Sequence, residues 1–204
     1  MTAIEIVTMV KDALVAVAAA TTAIVAVMGL SSWNRELRGK AAFDVARSLA
    51  RATYKLRDEL RDCRSPFISG GEYPEGYGGH MGSTSSREEA DALSYVYRNR
   101  WKHVAEALEP FDTHTLEAEA MWGANIRSKT DQFRQCLREL RAAIDAVVED
   151  TAQGGENFKA DRDFAKDMRS KVSTYSGKDN PLTQRIESSI SEIEGELRPY
   201  LKRA

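Results

Sequence analysis

The sequence predicts an all-α protein: an N-terminal transmembrane helix continuing into a long stalk helix, then a cytoplasmic helical bundle. Three observations predict it. Ala13–Leu30 (ALVAVAAATTAIVAVMGL) carries no charged residue. No stretch alternates apolar and polar residues as a strand does. Over most of the remainder, apolar residues recur at three- and four-residue spacing, as at Phe133, Leu137, Leu140, Ile144 and Val147. The segments are 1–31, a span with a short outer leader; 32–64, a stalk; 65–85, a Gly-rich loop; and 86–204, the bundle.

At ~1.5 Å rise per residue the apolar segment spans roughly 27 Å, close to the thickness of a hydrocarbon core. A cleavable signal peptide needs a basic leader, yet before Lys11 the only charged side chain is Glu5. No break follows the apolar run either, since Trp33-Asn-Arg-Glu-Leu-Arg38 continues in helix-forming residues. A buried Ala-rich core helix is the other alternative, disfavoured by the length. Arg35, Arg38 and Lys40 follow the span, and Trp33 suits the interface. The positive-inside rule then orients the N-terminus outward and the C-terminal part into the cytoplasm.

On a helical wheel, Glu5, Thr8, Asp12, Val15, Ala19, Thr22, Ala26 and Gly29 share one face. Ile6, Val10, Ala13, Val17, Ile24 and Met28 share the opposite one. Small and polar residues on one side suit close packing against copies of the same helix. The expected helix interface, or pore lining, is therefore Asp12, Val15, Ala19, Thr22, Ala26 and Gly29. Asp12 and Glu5 would stand at the outer mouth of such a pore and favour cations. A helix that merely anchors, with its acids in the headgroup region, is the alternative.

The stalk runs to Cys63 without proline. Ala42, Leu49, Leu56 and Cys63 repeat every seven residues, beside a row of Ala46, Thr53 and Leu60, which is a narrow coiled-coil or bundle seam. Ser65–Ser85 holds two prolines and six glycines and reads as an irregular loop. Ser86 to Glu89 reads as a capping box opening a helix that ends near Pro110. Asp112 or Thr113 opens another, to about Asp150, and Gln153-Gly-Gly155 breaks it. Asn157–Ser176 reads as one shorter helix closed by Gly177. Asn180-Pro181 places a cap before a first-turn proline, and Ile186, Ile190, Ile193 and Leu197 stripe the last helix.

The 204 residues suit one domain plus an anchor. Mean hydropathy is −0.46 and formal net charge −2, so no global field draws the chain onto nucleic acid or lipid. From Trp33 to Arg64, however, nine Lys/Arg face five Asp/Glu. Cys63 and Cys136 lie far apart, outside any zinc spacing, and fit a reducing compartment.

Enzyme motifs are missing: no GxGxxG, P-loop, GxSxG or HExxH occurs. His103–Glu106 and His114–Glu117 share an HxxE spacing, the reverse of the ExxH of di-iron bundles, so neither a metal nor another cofactor is expected. Two basic-aromatic clusters remain as anion-binding candidates, since guanidinium forks suit phosphates and aromatic faces stack bases. On the stalk, Lys40, Arg47, Tyr54 and Arg61 share one heptad row with Arg51 and Arg57 beside it. After the loop comes Tyr95-Val-Tyr-Arg98-Asn-Arg100-Trp101-Lys102-His103. Arg47, Arg51, Tyr54, Arg61, Arg98, Arg100, Trp101 and Lys102 are the candidate ligand contacts, with Tyr73, Tyr77 and His80 as a lid. The plainer reading is a solvated face whose arginines pair with Asp44, Asp58 and Glu59.

The Ala13–Leu30 span, the Trp33-Asn-Arg-Glu-Leu-Arg-Gly-Lys40 run and the Cys63-Arg-Ser-Pro-Phe-Ile-Ser69 turn give a layout that resembles bacterial single-pass effectors of anti-phage defence. In particular it resembles the membrane subunit of Hailong-type systems, which are encoded with a nucleotidyltransferase. The likeness is one of architecture. It implies a homo-oligomeric ion channel in the lipid bilayer, kept closed by a short single-stranded DNA oligomer or nucleotide made by the partner enzyme. Release of that ligand would depolarise the membrane. A membrane-anchored scaffold or receptor domain with a passive helix is the competing expectation.

Overall fold

The computed structural model describes residues 3–78, 84–175 and 179–202, apart from the side chains of Ala3, Glu5, Ile6, Val7, Val10 and Asp12. The side-chain roles expected of Glu5, Ile6, Val10 and Asp12, the lid role of His80, and the helix end at Ser176–Gly177 lie outside the described residues. Within them every regular element is helical and there is no strand. The chain divides into two compact units, Met1–Asp44 and Val45–Ala204.

Helix α1 runs from Ala3 to Cys63. In the first unit each described side chain of Ala13–Leu30 is exposed, including Leu14, Val17, Val27 and Leu30. This helix is long and apolar enough to cross a membrane. In the second unit, α1 is a core element. Ala46, Leu49, Thr53, Leu56, Leu60 and Cys63 are buried, so the bundle begins inside the expected stalk. The heptad seam is thus covered by the chain's own helices, and each fully buried leucine contributes about 1.5–3 kcal/mol.

Helix α2 spans Ser86–Trp122 and α3 spans Ala124–Ala152. The cap lies one residue before its expected place: Ser85 Oγ accepts from Glu88 N, and Glu88 reaches back to Ser85 N at 2.9 Å. The expected break at Pro110 is corrected, because α2 continues through it. Proline in a helix interior costs about 3 kcal/mol. Ala107, Phe111, Thr115 and Ala118 extend one buried stripe across it, and Phe111 meets Phe133 of α3 edge-on at 5.5 Å. That burial outweighs the lost hydrogen bond. The break falls instead at Gly123, whose φ of +82° is open to glycine and strained for other residues.

The turn after α3 holds Gly154 and Gly155 at positive φ, with buried Asp150 accepting from Phe158 N at 2.9 Å. The single helix expected from Asn157 is two: α4, Glu156–Ala160, and α5, Arg162–Val172. Asp161 divides them by leaving helical geometry (φ −130°, ψ 97°) and capping α5 through Phe164 N at 2.9 Å. Helix α6, Pro181–Leu201, opens as expected: Asn180 caps Thr183 N, and Ile186, Ile190, Ile193 and Leu197 are buried. Trp122 stacks on Tyr200 at 4.2 Å, closing α6 onto the end of α2.

Candidate functional site

The expected interface residues Val15, Ala19, Thr22, Ala26 and Gly29 are all exposed on α1. A Cβ on Gly29 would meet nothing within 4 Å, so nothing inside the chain requires a glycine there. Thr21 and Thr22 donate to the carbonyls of Val17 and Ala18 at 2.8 and 2.9 Å. Their hydroxyl protons are therefore satisfied within the helix, leaving acceptor lone pairs outward.

The stalk cluster is only partly assembled. Arg47 and Arg51 are exposed and make no ion pair among the described residues. Tyr54 donates its hydroxyl to Glu194 Oε1 at 2.9 Å; burial, together with that bond, raises its pKa. Arg57 lies 5.0 Å from the Tyr54 ring centre and pairs with Asp58, while Arg61 pairs loosely with Asp62 at 3.8 Å. These are ion pairs of a solvated helix face, each worth little.

The α2 cluster is dispersed, because consecutive helical residues point about 100° apart. Arg98 turns toward the 65–85 loop, bordering a cleft of about 580 Å³ with Tyr77 and Tyr95; Glu75, Glu88 and Asp91 also line it, which opposes an anion. Trp101 packs against the core, with Arg141 of α3 over its ring at 5.3 Å. Lys102 is exposed. Of the expected lid, Tyr73 and Tyr77 stack on each other at 4.8 Å.

Arg100 is spent on structure. It grips Glu72 through Nε at 2.6 Å and Nη2 at 3.1 Å, and donates to the carbonyls of Cys63, Ser65 and Phe67. This accounts for all five guanidinium N–H groups and ties down the start of the loop. The same contact holds the Glu72 carboxyl below its usual pKa.

Arg64, not singled out by spacing, is the most deeply buried cation among the described residues, at 2% exposure. Nε donates to Lys171 O at 2.7 Å, Nη1 to Thr183 Oγ1 at 3.0 Å and Nη2 to Asn180 Oδ1 at 2.9 Å. No carboxylate takes part; burial lowers its pKa, yet arginine stays charged. Burial also pushes the Cys63 thiol up to about 11 and raises Cys136, so neither is a ready nucleophile. His103 and His114 pair with Glu106 and Glu117 one turn along α2, and among the described residues no three His, Cys, Asp or Glu side chains cluster to hold a metal.

A further basic region escapes a reading by contiguous letters. Phe158 and Lys159 of α4, Arg162, Lys166 and Arg169 of α5, and Tyr175 line a cleft of about 760 Å³ without a carboxylate. Arg169 stacks on the Phe158 ring at 5.3 Å, and Lys159 Nζ donates to Gly154 O at 3.0 Å. Arg162 and Lys166 have no hydrogen bond or ion pair among the described residues. The available signal is the placing of Arg162, Lys166 and Arg169 at i, i+4 and i+7, within an arc of about 60°.

No family model matches the chain, and no curated protein or solved structure matches it.

Proposed function

We propose that the chain is a single-pass inner-membrane protein whose spans associate into a homo-oligomeric ion channel controlled by the cytoplasmic bundle. The carrying observation is the Ala13–Leu30 segment, uncharged throughout, mostly apolar and exposed at every described side chain. So much contiguous apolar surface is untenable in water, and lipid removes the cost. The face with Val15, Ala19, Thr22, Ala26 and Gly29 lets copies approach closely, with Asp12 toward the outer end. Arg35, Arg38 and Lys40, all exposed, favour the cytoplasmic side for the bundle. In this reading an anionic ligand shifts the gate by binding closed and open forms unequally. The resemblance in layout to single-pass defence effectors makes depolarisation during phage infection the matching role, with a short DNA oligomer or nucleotide as the controlling partner.

A passive anchor is the second reading, favoured by the Thr21 and Thr22 hydroxyls bonding their own helix. A potential-sensitive dye in bacteria expressing the full chain separates the two. The channel reading expects depolarisation on induction that Ala19→Leu and Thr22→Leu abolish while the protein still reaches the membrane. An unchanged potential with wild type and with bundle variants alike, at equal membrane abundance, would leave the passive anchor standing.

A further inference from the structure

We infer that the α4–α5 cleft is a binding site for a small polyphosphate-bearing ligand, a nucleoside polyphosphate in chemical class. Four cations line it with no carboxylate among them. Helix α5 sorts its charges: Arg162, Lys166 and Arg169 share one face, and Asp163 and Asp167 lie about 100–140° round from Arg162. Asp167 is occupied there by Lys171 Nζ at 2.6 Å. The two sides of the helix therefore differ in kind. One carries both signs, with Asp167 paired to Lys171, while the other gathers like charges into a concavity.

A solvated face usually interleaves the two signs, so that neighbours compensate. Here Arg162 and Lys166 stand one turn apart, and among the described residues neither has an acid within ion-pair distance to offset their repulsion. A ligand supplying two or more phosphate charges would relieve it, through forked donors from arginine and point charges from lysine. The region is also anchored rather than pliant. Asp150 fixes the α3–α4 turn through Phe158 N, Asp161 caps α5, and Phe158 meets Phe164 edge-on at 5.8 Å. Tyr175, 88% exposed at the rim, offers a face on which a nucleobase can stack. At the α2 candidates the balance is less favourable: the cleft beside Arg98 is acidic, and Arg100 has no donor to spare.

The inference gives the ligand of the proposed function a place, but binding itself does not rest on conduction. Full-length protein in neutral phosphatidylcholine nanodiscs is titrated by calorimetry with ATP and with inorganic tripolyphosphate. Both should bind wild type, and ATP affinity should fall at least about tenfold in the Arg162→Ser/Lys166→Ser variant, as expected for lost charge-assisted contacts. Arg47→Ser and Arg98→Ser should bind within about twofold of wild type, since those residues lie outside the cleft. Tyr175→Ala should weaken ATP about fivefold and leave tripolyphosphate unchanged, the mark of a lost stacking contact. Circular dichroism checks that each variant keeps its helix content.

Absence of heat with either probe at millimolar concentration overturns the inference, as does equal loss in the Arg47 and Arg98 controls. Two further results overturn it in favour of another class. One is tighter binding of a short single-stranded oligonucleotide than of ATP at equal phosphate. The other is release of bound ATP by phosphatidylglycerol vesicles, which would assign the cleft to lipid headgroups. ATP binding without any change of potential sinks the channel and keeps the site.

Discussion

The junction of α1 with the 65–85 loop and the face of α5 use the same side chain to opposite ends. At the junction, Arg100 has every guanidinium N–H filled and Arg64 donates through all three of its nitrogens, largely to backbone carbonyls. On α5, Arg162 and Lys166 have none filled among the described residues. Cations of the first kind join segments distant in sequence, and removing one leaves buried acceptors unsatisfied. Cations of the second kind are exposed, hold no other segment by a polar contact and are free to meet a solute. Function is better sought where charge is gathered without structural employment than where it is merely abundant.

Stability measurements sharpen that contrast, and the largest effect belongs to Arg64. Arg64→Leu should lower the unfolding free energy by about 3 kcal/mol, because it strands Asn180 and the carbonyls that end α5. Urea unfolding of the full chain in mild detergent, followed by tryptophan fluorescence, reads it. A loss below about 1 kcal/mol would place Arg64 with the dispensable cations.

Arg100→Met should cost less, about 1–2 kcal/mol, since Glu72 is a third exposed and water replaces part of the pair. Limited proteolysis should then cut within 65–85 sooner than in wild type. The same clasp carries a pH signature. Glu72 has a pKa below the ordinary 4.5 in the fold, so its stabilisation is fully present above that value. It drains away as pH falls through the depressed pKa. Wild type and Glu72→Gln should therefore differ in stability at pH 7 and converge in strong acid; a gap that widens on acidification would contradict the clasp.

The smallest effect is expected on α5, where Arg162→Ser with Lys166→Ser should leave stability within about 0.5 kcal/mol of wild type, by the same urea assay. A large loss would show that these residues are structural after all and erase the contrast.

Much of the architecture was legible in residues. Asn180-Pro181 announced α6, and the stripe from Phe133 to Val147 announced α3, because capping and periodicity are local. Pro110 misled because a proline's cost is local while the burial of Phe111 against Phe133 is not. Gly123 and Asp161 were unremarkable letters until backbone geometry gave one a positive φ and the other a cap. The ligand candidates on α2 were chosen by contiguity. Tyr95 to His103 is rich in suitable side chains, and the helix scatters them; Arg162, Lys166 and Arg169 are interrupted by acids, and the helix collects them. Arg64 looked like one more basic residue of the stalk, since burial leaves no mark on its own letter.

The bonds of Arg64 also set an order in time. Its partner Thr183 lies 119 positions further along the chain. At 5–20 residues per second, synthesis reaches it roughly 6–24 s after Arg64 itself is made. For most of that interval, until residues 170–173 are made, the guanidinium lacks its acceptors and stays in water although the apolar segment has already emerged. The bundle core thus closes only when the last helix arrives. A chain cut short before residue 170 keeps a solvated charge where its core should be, and so carries its own label of incompleteness.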